Sequence, residues 1–407
     1  MAELPKRYEY TPLADKRIVV GLTGGVAIYR TLDFVRKLIR LGAEVITVFT
    51  PKAMKFINPI LFEWATQQKP ITELTGKAEH IFLSKEWDAM VIAPTTLNTM
   101  AKIASGIGDN AVTLTAIAFL GAGKPVLFVP SMNLNLYNTP QYREIVEKLY
   151  DYGATVLPPL ISEGKAKYPP IEDLVYCIDA LISRGRDMAG YNVLVTAGPT
   201  REYIDPVRII TNPSSGLMGI YIAREITCRG GYVTLVHGPL RHSPPYLAKT
   251  KPVETTMEMA EAVKEISQQE KFDVAIFAAA PADYRPIQKA PKKISSRIGD
   301  ITVKFRPTVK VIKALKQRPK VIVAFAAETV TSNDELIKKA LEKLKDYNAD
   351  LVIANKVGVK GRGFASDYIE ACLVTSEGTE CLGVIHKALL ARRIIDWVSH
   401  RLEESKD

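Results

Sequence analysis

No stretch limits the architecture as tightly as Asn192 to Gly219. Val193 to Thr196 is an apolar, β-branched run of the kind that fills buried parallel strands. Gly198 and Pro199 break it, and a polar loop follows, carrying Arg201, Asp205, Arg208 and Asn212. Ser214-Ser215-Gly216 then opens an amphipathic helix through Arg229. Strand, glycine turn and helix N-terminus together receive phosphate, because free backbone N–H groups and the helix dipole point at the same anion. The loop is longer than a connection needs, and ordered long loops are usually functional. A plain βα unit would share the same outline.

The amino-terminal half repeats the theme. Arg17–Leu22 reads as a buried strand, Thr23-Gly24-Gly25 as its turn, Ala27–Leu41 as an amphipathic helix stopped by Gly42, and Glu44–Phe49 as a second strand. Ala89–Ala93, Pro125–Val129 and Ala154–Leu157 add three more, and Ile171–Arg184 a helix. This βαβ pattern predicts a doubly wound α/β sheet. After a polar break at Ser183–Gly190 the topology restarts. Strands are expected at Val193–Thr196, Val233–His237, Val274–Ala279, Val321–Ala327, Leu351–Ala354 and near Tyr368–Thr375. Helices are expected at Leu217–Arg229, Met257–Glu265, Val309–Lys316, Asp334–Asp346 and Gly383–Arg401. Two domains follow, 1–186 and 187–407, a size at which each buries its own core.

In such sheets ligands sit beyond the carboxyl ends of the strands. Three ends in the first half carry hydroxyl, amide or glycine clusters: Thr23 to Gly25, Thr95 to Thr99, and Ser131-Met132-Asn133. Each alone reads as a helix cap; three at one edge favour a ligand. With no GxGxxG and no acidic residue placed for an adenosine ribose, NAD is disfavoured and a mononucleotide such as FMN fits better.

The net charge of +10, from 54 basic and 44 acidic residues, is spread along the chain. It suits small polyanions as well as nucleic acid. Four cysteines without CxxC spacing argue against a disulfide framework and suit a reducing cytoplasm. The first sixteen residues lack an apolar signal core, and no apolar run reaches about 18 residues, which argues against a membrane span.

The words TGGVAIYRT, EHIFLSKEWDAMVIAPTTLNTMAKIASGIGDN and PSMNLNLY resemble the flavin-dependent cysteine decarboxylases. The resemblance implies that Gly24, Gly25, Thr50, Thr95, Thr96, Asn98, Thr99 and Met132 help hold FMN, that His80 is catalytic, and that Asn133 grips the substrate carboxylate. Without it, a lone His80 reads as structural. The implied chemistry is decarboxylation of a cysteinyl group with the flavin as a temporary electron sink and no net redox change. One departure stands out: the stretch matching the family's mobile clamp, Pro158 to Pro169, contains no cysteine to donate the final proton. Lys165, Lys167, Tyr168 or water are the substitutes it offers, while Cys177 falls in a helix.

In the second half, GPTREYIDPVRIITNPSSGLMG, AAAPADYR, APKKI and AFAAET resemble the phosphopantothenate–cysteine ligases. By that resemblance Arg208 and Asn212 serve the acyl-nucleotide intermediate, and Lys293 is both catalytic and nucleotide-binding. Ala278, Ala279, Asp283, Phe325 and Lys343 fall at nucleotide positions, with Pro307, Thr308, Val309 and Lys310 in a further nucleotide loop. Read alone, Asp283 is equally a loop cap, and the lysines around Lys293 a solvated face. Lysines expected after Lys293-Ile294 and four residues beyond Lys343 are replaced by Ser295, Ser296 and Tyr347, which loosens the choice of CTP over ATP.

Both motif sets, in this order, resemble the bifunctional family of coenzyme A biosynthesis that combines the two activities. The resemblance implies FMN and Mg²⁺ as cofactors, with phosphopantothenate, cysteine and CTP as substrates; no residues are assigned to a metal. It also implies a cytoplasmic homo-oligomer, trimeric through the first domain and dimeric through the second, as large as a dodecamer. No nucleic-acid or membrane partner is expected. Two alternatives stay open: a ligase whose flavin-binding half has lost decarboxylation, and a non-catalytic flavin- or nucleic-acid-binding protein.

Overall fold

The structure is a computed structural model that describes residues 10–358, 363–364 and 366–405. The start of the expected polar N-terminus therefore lies outside the described residues. The chain divides into two compact units, Glu9–Gly185 and a second that runs from Arg186 to the carboxyl terminus.

The first unit is built on five parallel strands: β1 (Arg17–Leu22), β2 (Glu44–Phe49), β3 (Ala89–Thr95), β4 (Val126–Pro130) and β5 (Thr155–Val156). Their order is β2-β1-β3-β4-β5, the flavodoxin-like arrangement. Helix α1 (Tyr29–Arg40) buries Phe34, Val35 and Leu38, a spacing that keeps them on one face. Val19, Val48, Met90, Ile92 and Phe128 belong to a core cluster closed by Leu83, Met100 and Phe119. Helix α2 (Glu79–Glu86) carries His80, and α3 (Leu97–Ala104) starts at an N-cap on Thr96. The expected helix over Ile171–Arg184 is present with those bounds.

The cysteine-free stretch after Pro158 forms an unanticipated hairpin, Leu160–Ser162 with Lys165–Lys167. Glu163 and Gly164 both have positive φ, the signature of a tight two-residue turn. The hairpin's second strand pairs with Met132–Asn133, placing Lys165 opposite Asn133 and Ala166 opposite Met132.

The second unit holds an eight-stranded sheet. Its strands are β6 (Asn192–Ala197), β7 (Tyr232–His237), β8 (Lys249–Pro252), β9 (Val274–Phe277), β10 (Val321–Glu328), β11 (Leu351–Lys356), β12 (Tyr368–Val374) and β13 (Thr379–His386). The order is β8-β7-β6-β9-β10-β11-β12-β13. The first six are parallel in the Rossmann order, and β12 and β13 add an antiparallel edge. Alternation sends Val193 and Val195 to one face and Leu194 to the other. Helices α4 (Leu217–Cys228) and α7 (Lys387–Glu404) cover the first face, through Ile222, Ile226, Leu390, Ile394 and Val398. Helices α5 (Thr256–Gln269) and α6 (Asn333–Asp346) cover the other.

Three expectations need correction. The helix expected over Val309–Lys316 is only a single 3₁₀ turn, Val311–Ala314. Val309, Val311 and Ile312 are β-branched and give little support to a longer α-helix. The final helix begins at Lys387, because Gly383 to His386 finish β13. Cys372 and Cys381 form a disulfide. Nine residues apart in sequence, they become cross-strand partners once β12 and β13 pair, with Cα atoms 4.0 Å apart. A spacing with no local motif thus closes a bridge through the hairpin, and the cysteine argument for a reducing compartment falls away. The expected polar loop after β6 is also ordered as a hairpin, Arg201–Tyr203 with Ile209–Thr211.

The ends of β6 and β7 are held by backbone proximity. A Cβ on Gly238 would lie 1.7 Å from the Pro199 carbonyl oxygen. Because the obstacle is backbone, Gly238→Ala should destabilise the protein by on the order of 2 kcal/mol or more, read as a lowered thermal midpoint. An unchanged midpoint would show that this crossing can relax.

Candidate functional site

In the first unit the sheet order reverses between β1 and β3, the place where doubly wound folds bind ligands. The Thr23 hydroxyl donates to Pro94 O at 2.7 Å and accepts from Thr96 N at 3.1 Å, joining the two strand ends. A Cβ on Gly24 would sit 2.4 Å from Lys52 Cγ, so this turn admits no side chain without displacing the lysine. The Thr95 hydroxyl donates to Ile92 O and accepts from Val129 N, and Thr50 bonds Leu22 O and Ala53 N. Both are buried with their hydroxyls engaged inside the fold. Thr96 and Thr99 hydroxyls lie 3.2 Å apart at the start of α3, beside exposed Asn98. Asn133 is exposed, its Oδ1 accepting from Asn135 N at 2.8 Å.

His80 is half-buried, and its Nδ1 is buried without a hydrogen-bond partner. A buried polar atom left unsatisfied calls for an explanation, and a bound ligand is one. Of the offered replacements for the clamp cysteine, Tyr168 is sealed in the core beneath Arg30. Burial pushes its phenol above the ordinary tyrosine range. Lys167 pairs with Glu163 at 2.6 Å. Lys165 is exposed opposite Asn133.

In the second unit the order reverses between β6 and β9, and a cavity of about 260 Å³ opens there. Asn212, Ala278, Ala279, Asp283, Thr308, Val309, Lys310, Phe325 and Lys343 all line it. Asn212 Nδ2 donates to Ala280 O (3.2 Å) and Pro281 O (3.0 Å), fixing that amide against the loop after β9. Asp283 pairs with Lys310 at 2.7 Å, which raises the lysine's pKa. Glu328 pairs with Lys343 at 2.7 Å and Lys339 at 3.2 Å. Burial pushes the Glu328 carboxyl up, and the two lysines outweigh it and hold it low. Helix α4 begins at the cavity from Gly216, in the left-handed region at φ 78°, where glycine is favoured.

Arg208, Lys293 and Pro307 do not line the cavity. Arg208 is held by Asp205 at 2.5 Å and donates to Ile294 O at 2.9 Å. Lys293 is exposed on the loop that this cluster anchors. The anchor is extensive: Ala290 N donates to Ile204 O, Ile294 N to Asp205, and the Lys289 ammonium sits 4.5 Å over the Tyr203 ring. Asn355 and Lys387, which sequence reasoning missed, line the cavity and are both about 5% exposed. Asn355 ends a strand at the carboxyl edge, and Lys387 is a cation at a helix start, where the dipole disfavours it. Those were the available signals. Among the described residues, no cluster of three or more His, Cys, Asp or Glu is placed to hold a metal.

Burial pushes Asp205 up, but amide bonds from Ile294, Val207 and Arg208 and the Arg208 guanidinium hold its carboxyl well below the usual carboxylate range. The stability it contributes is therefore present above its unfolded value, about pH 4, and is lost as pH falls further. Thermal unfolding of wild type and Asp205→Asn between roughly pH 3 and pH 7 should show a gap that is widest at neutral pH and narrows on acidification. A pH-independent gap would contradict this.

Two family models match the chain: Flavoprotein over residues 6–183 and the DNA/pantothenate metabolism flavoprotein C-terminal domain over 188–402. The coenzyme A biosynthesis bifunctional protein CoaBC of Thermococcus kodakarensis is 38% identical, over 96% of this chain and 96% of its own length. The protein of that name in Methanocaldococcus jannaschii is 34% identical over 95% and 94%. The one in Escherichia coli is 34% identical over 96% and 98%.

Proposed function

The chain belongs to the coenzyme A biosynthesis bifunctional protein family, and from that membership we propose how its two units divide the chemistry. The protein is a bifunctional phosphopantothenate–cysteine ligase and phosphopantothenoylcysteine decarboxylase. The second unit ligates cysteine to phosphopantothenate through an acyl-cytidylate formed from CTP. The first decarboxylates the product to phosphopantetheine. The boundary between them is the one read from sequence, 1–186 and 187–407.

The observation that carries the ligase reading is the switch-point cavity, which gathers Asn212, Asp283, Lys310, Phe325 and Lys343 from separate parts of the chain. A carboxylate does not accept an amine in water until it is activated, and nucleotidyl transfer supplies that activation. Lys310 and Lys343 would meet phosphate oxygens as charge develops, and Asp283 takes a nucleotide-binding position beside them. Asn212, oriented by two carbonyls, holds the acyl-nucleotide while the cysteine amine attacks. Lys293 acts from the anchored loop, and Arg208 acts from the cluster that holds it, through Asp205 and the Ile294 carbonyl.

In the first unit, FMN is the group that the hydroxyl-lined switch point and the tight Gly24 turn fit; bound there it supplies reversible electron storage. Gly24, Gly25, Thr96, Asn98, Thr99 and Met132 would hold it, with Thr50 and Thr95 bracing the strand ends through their own hydrogen bonds. His80 moves a proton and Asn133 binds the substrate carboxylate. Lys165, opposite Asn133 in the stretch that matches the family's clamp, donates the final proton. Val26 and Tyr29, 77% and 67% exposed, give the first unit apolar surface for self-association, as a trimer that joins dimers of the second unit in a dodecamer. The protein works in the cytoplasm; no described helix is long and apolar enough to cross a membrane.

The reading is tested with phosphopantothenate, cysteine, Mg²⁺ and CTP, following pyrophosphate and CO₂ separately. Equal amounts are expected. Pyrophosphate alone favours the second reading, motivated by the cysteine-free hairpin, in which the flavin unit has lost decarboxylation. In Asn212→Asp, two donated hydrogen bonds become carboxylate–carbonyl contacts. Amide formation should fall about 100-fold or more while acyl-cytidylate accumulates; normal turnover would remove Asn212 from the mechanism.

A further inference from the structure

We propose that Lys387 is a phosphate-binding residue of the second unit's cavity, holding the nucleotide's polyphosphate beside the N-terminus of α4. The proposal rests on the ligase reading above. Three cations line the cavity among the described residues: Lys310, Lys343 and Lys387. The first two are each paired with a carboxylate at 2.7 Å. Lys387 is 5% exposed and has no hydrogen bond to its side chain and no ion pair among the described residues. The carboxylate that acts on it electrostatically, Asp367, is exposed and beyond ion-pair distance. Burial pushes the Lys387 ammonium down to about 8. A buried amine without a carboxylate is costly to charge, and an arriving anion removes that cost.

Topology explains why this spot suits phosphate. Strands β12 and β13 each reverse direction, so β13 again runs with the parallel strands and ends at their carboxyl edge. Helix α7 therefore starts at the same edge as α4, and the two pack against one core, Ile222 and Ile226 with Leu390 and Ile394. Two positive helix ends meet at the cavity, with Lys387 in the first turn of α7. Nothing in local helix energetics favours a cation there. Among the described lining residues, Ser214, Ser215 and Asn355 supply polar groups and Phe325 and Ile369 apolar ones. Backbone N–H groups at helix starts together with one ammonium form a cradle for a polyanion.

Wild type, Lys387→Met and Lys387→Arg are compared by calorimetric titration with Mg²⁺·CTP and with CMP, by initial rates of pyrophosphate release, and by thermal unfolding. The methionine variant should unfold at the same or a higher temperature, since it removes an unpaired buried charge. It should bind CTP roughly tenfold to hundredfold more weakly and show a matching rise in KM for CTP, while CMP affinity changes by less than about threefold. Arginine should recover part of the CTP affinity. Equal CTP affinity in wild type and Lys387→Met, or an equal loss for CTP and CMP, overturns the proposal. So does a KM rise confined to cysteine or phosphopantothenate, which would assign the ammonium to a different anion. A lowered unfolding temperature in the methionine variant would make Lys387 a structural group and also overturn it. A wild-type protein that binds neither CTP nor ATP and releases no pyrophosphate removes the ligase reading itself.

Discussion

Burying both faces of a parallel sheet is the constraint on which everything else depends. In each unit the strands are almost continuously apolar, as Arg17–Leu22 and Asn192–Ala197 illustrate, and helices cover both sides of the second sheet. Polar chemistry is then excluded from the sheet faces and confined to the strand ends. At the carboxyl edge the backbone N–H groups of the following helices also lack partners. The two switch points are therefore where hydroxyls, amides and lysines can collect without disrupting a core. That the Thr23 hydroxyl and the Asn212 amide both bond backbone carbonyls across such an edge shows how the edge is stiffened by its own polar groups.

The parts legible in the sequence are those governed by period and punctuation. Runs such as Ala89–Ala93 and Leu351–Ala354 can bury both faces only as strands, and Gly42 or Pro199 mark where elements end. What escaped was structure made by pairing at a distance. The hairpin Leu160–Ser162 with Lys165–Lys167 has short, mixed-polarity strands whose register is set by a turn and by Met132–Asn133. The end of β13 looked helical because Gly383 to His386 precede a true helix without a break in hydrophobicity. The disulfide followed from the same missed hairpin.

The candidate site divides along the same line. Asn212, Asp283 and Lys343 were readable because they sit in motifs, and the cavity does bring them together. Asn355 and Lys387 were not, because an asparagine at a strand end and a lysine at a helix start carry no motif. Their place at the cavity depends on β11 and β13 reaching the same edge, a property of the whole sheet. Arg208 illustrates the converse. Its motif suggested direct contact with an intermediate, yet its guanidinium is engaged by Asp205 and the Ile294 carbonyl, so its first effect is on the lysine-bearing loop.

Buried charge separates structural from functional roles in this unit. Arg229 is fully buried, and Asp187, Glu225 and Asp396 surround it. Burial alone would lower its pKa; those carboxylates outweigh it and raise it. Such a site is complete within the chain, and removing one partner would strand a charge in the core. It ties the start of the unit, through Asp187, to helices α4 and α7. Lys387 is nearly as deep but has no carboxylate at ion-pair distance among the described residues. The fold thus satisfies one cation internally and leaves another short of an anion at the mouth of the same two helices. A charge left incomplete at the one edge open to ligands is the arrangement expected where the missing partner arrives from solution.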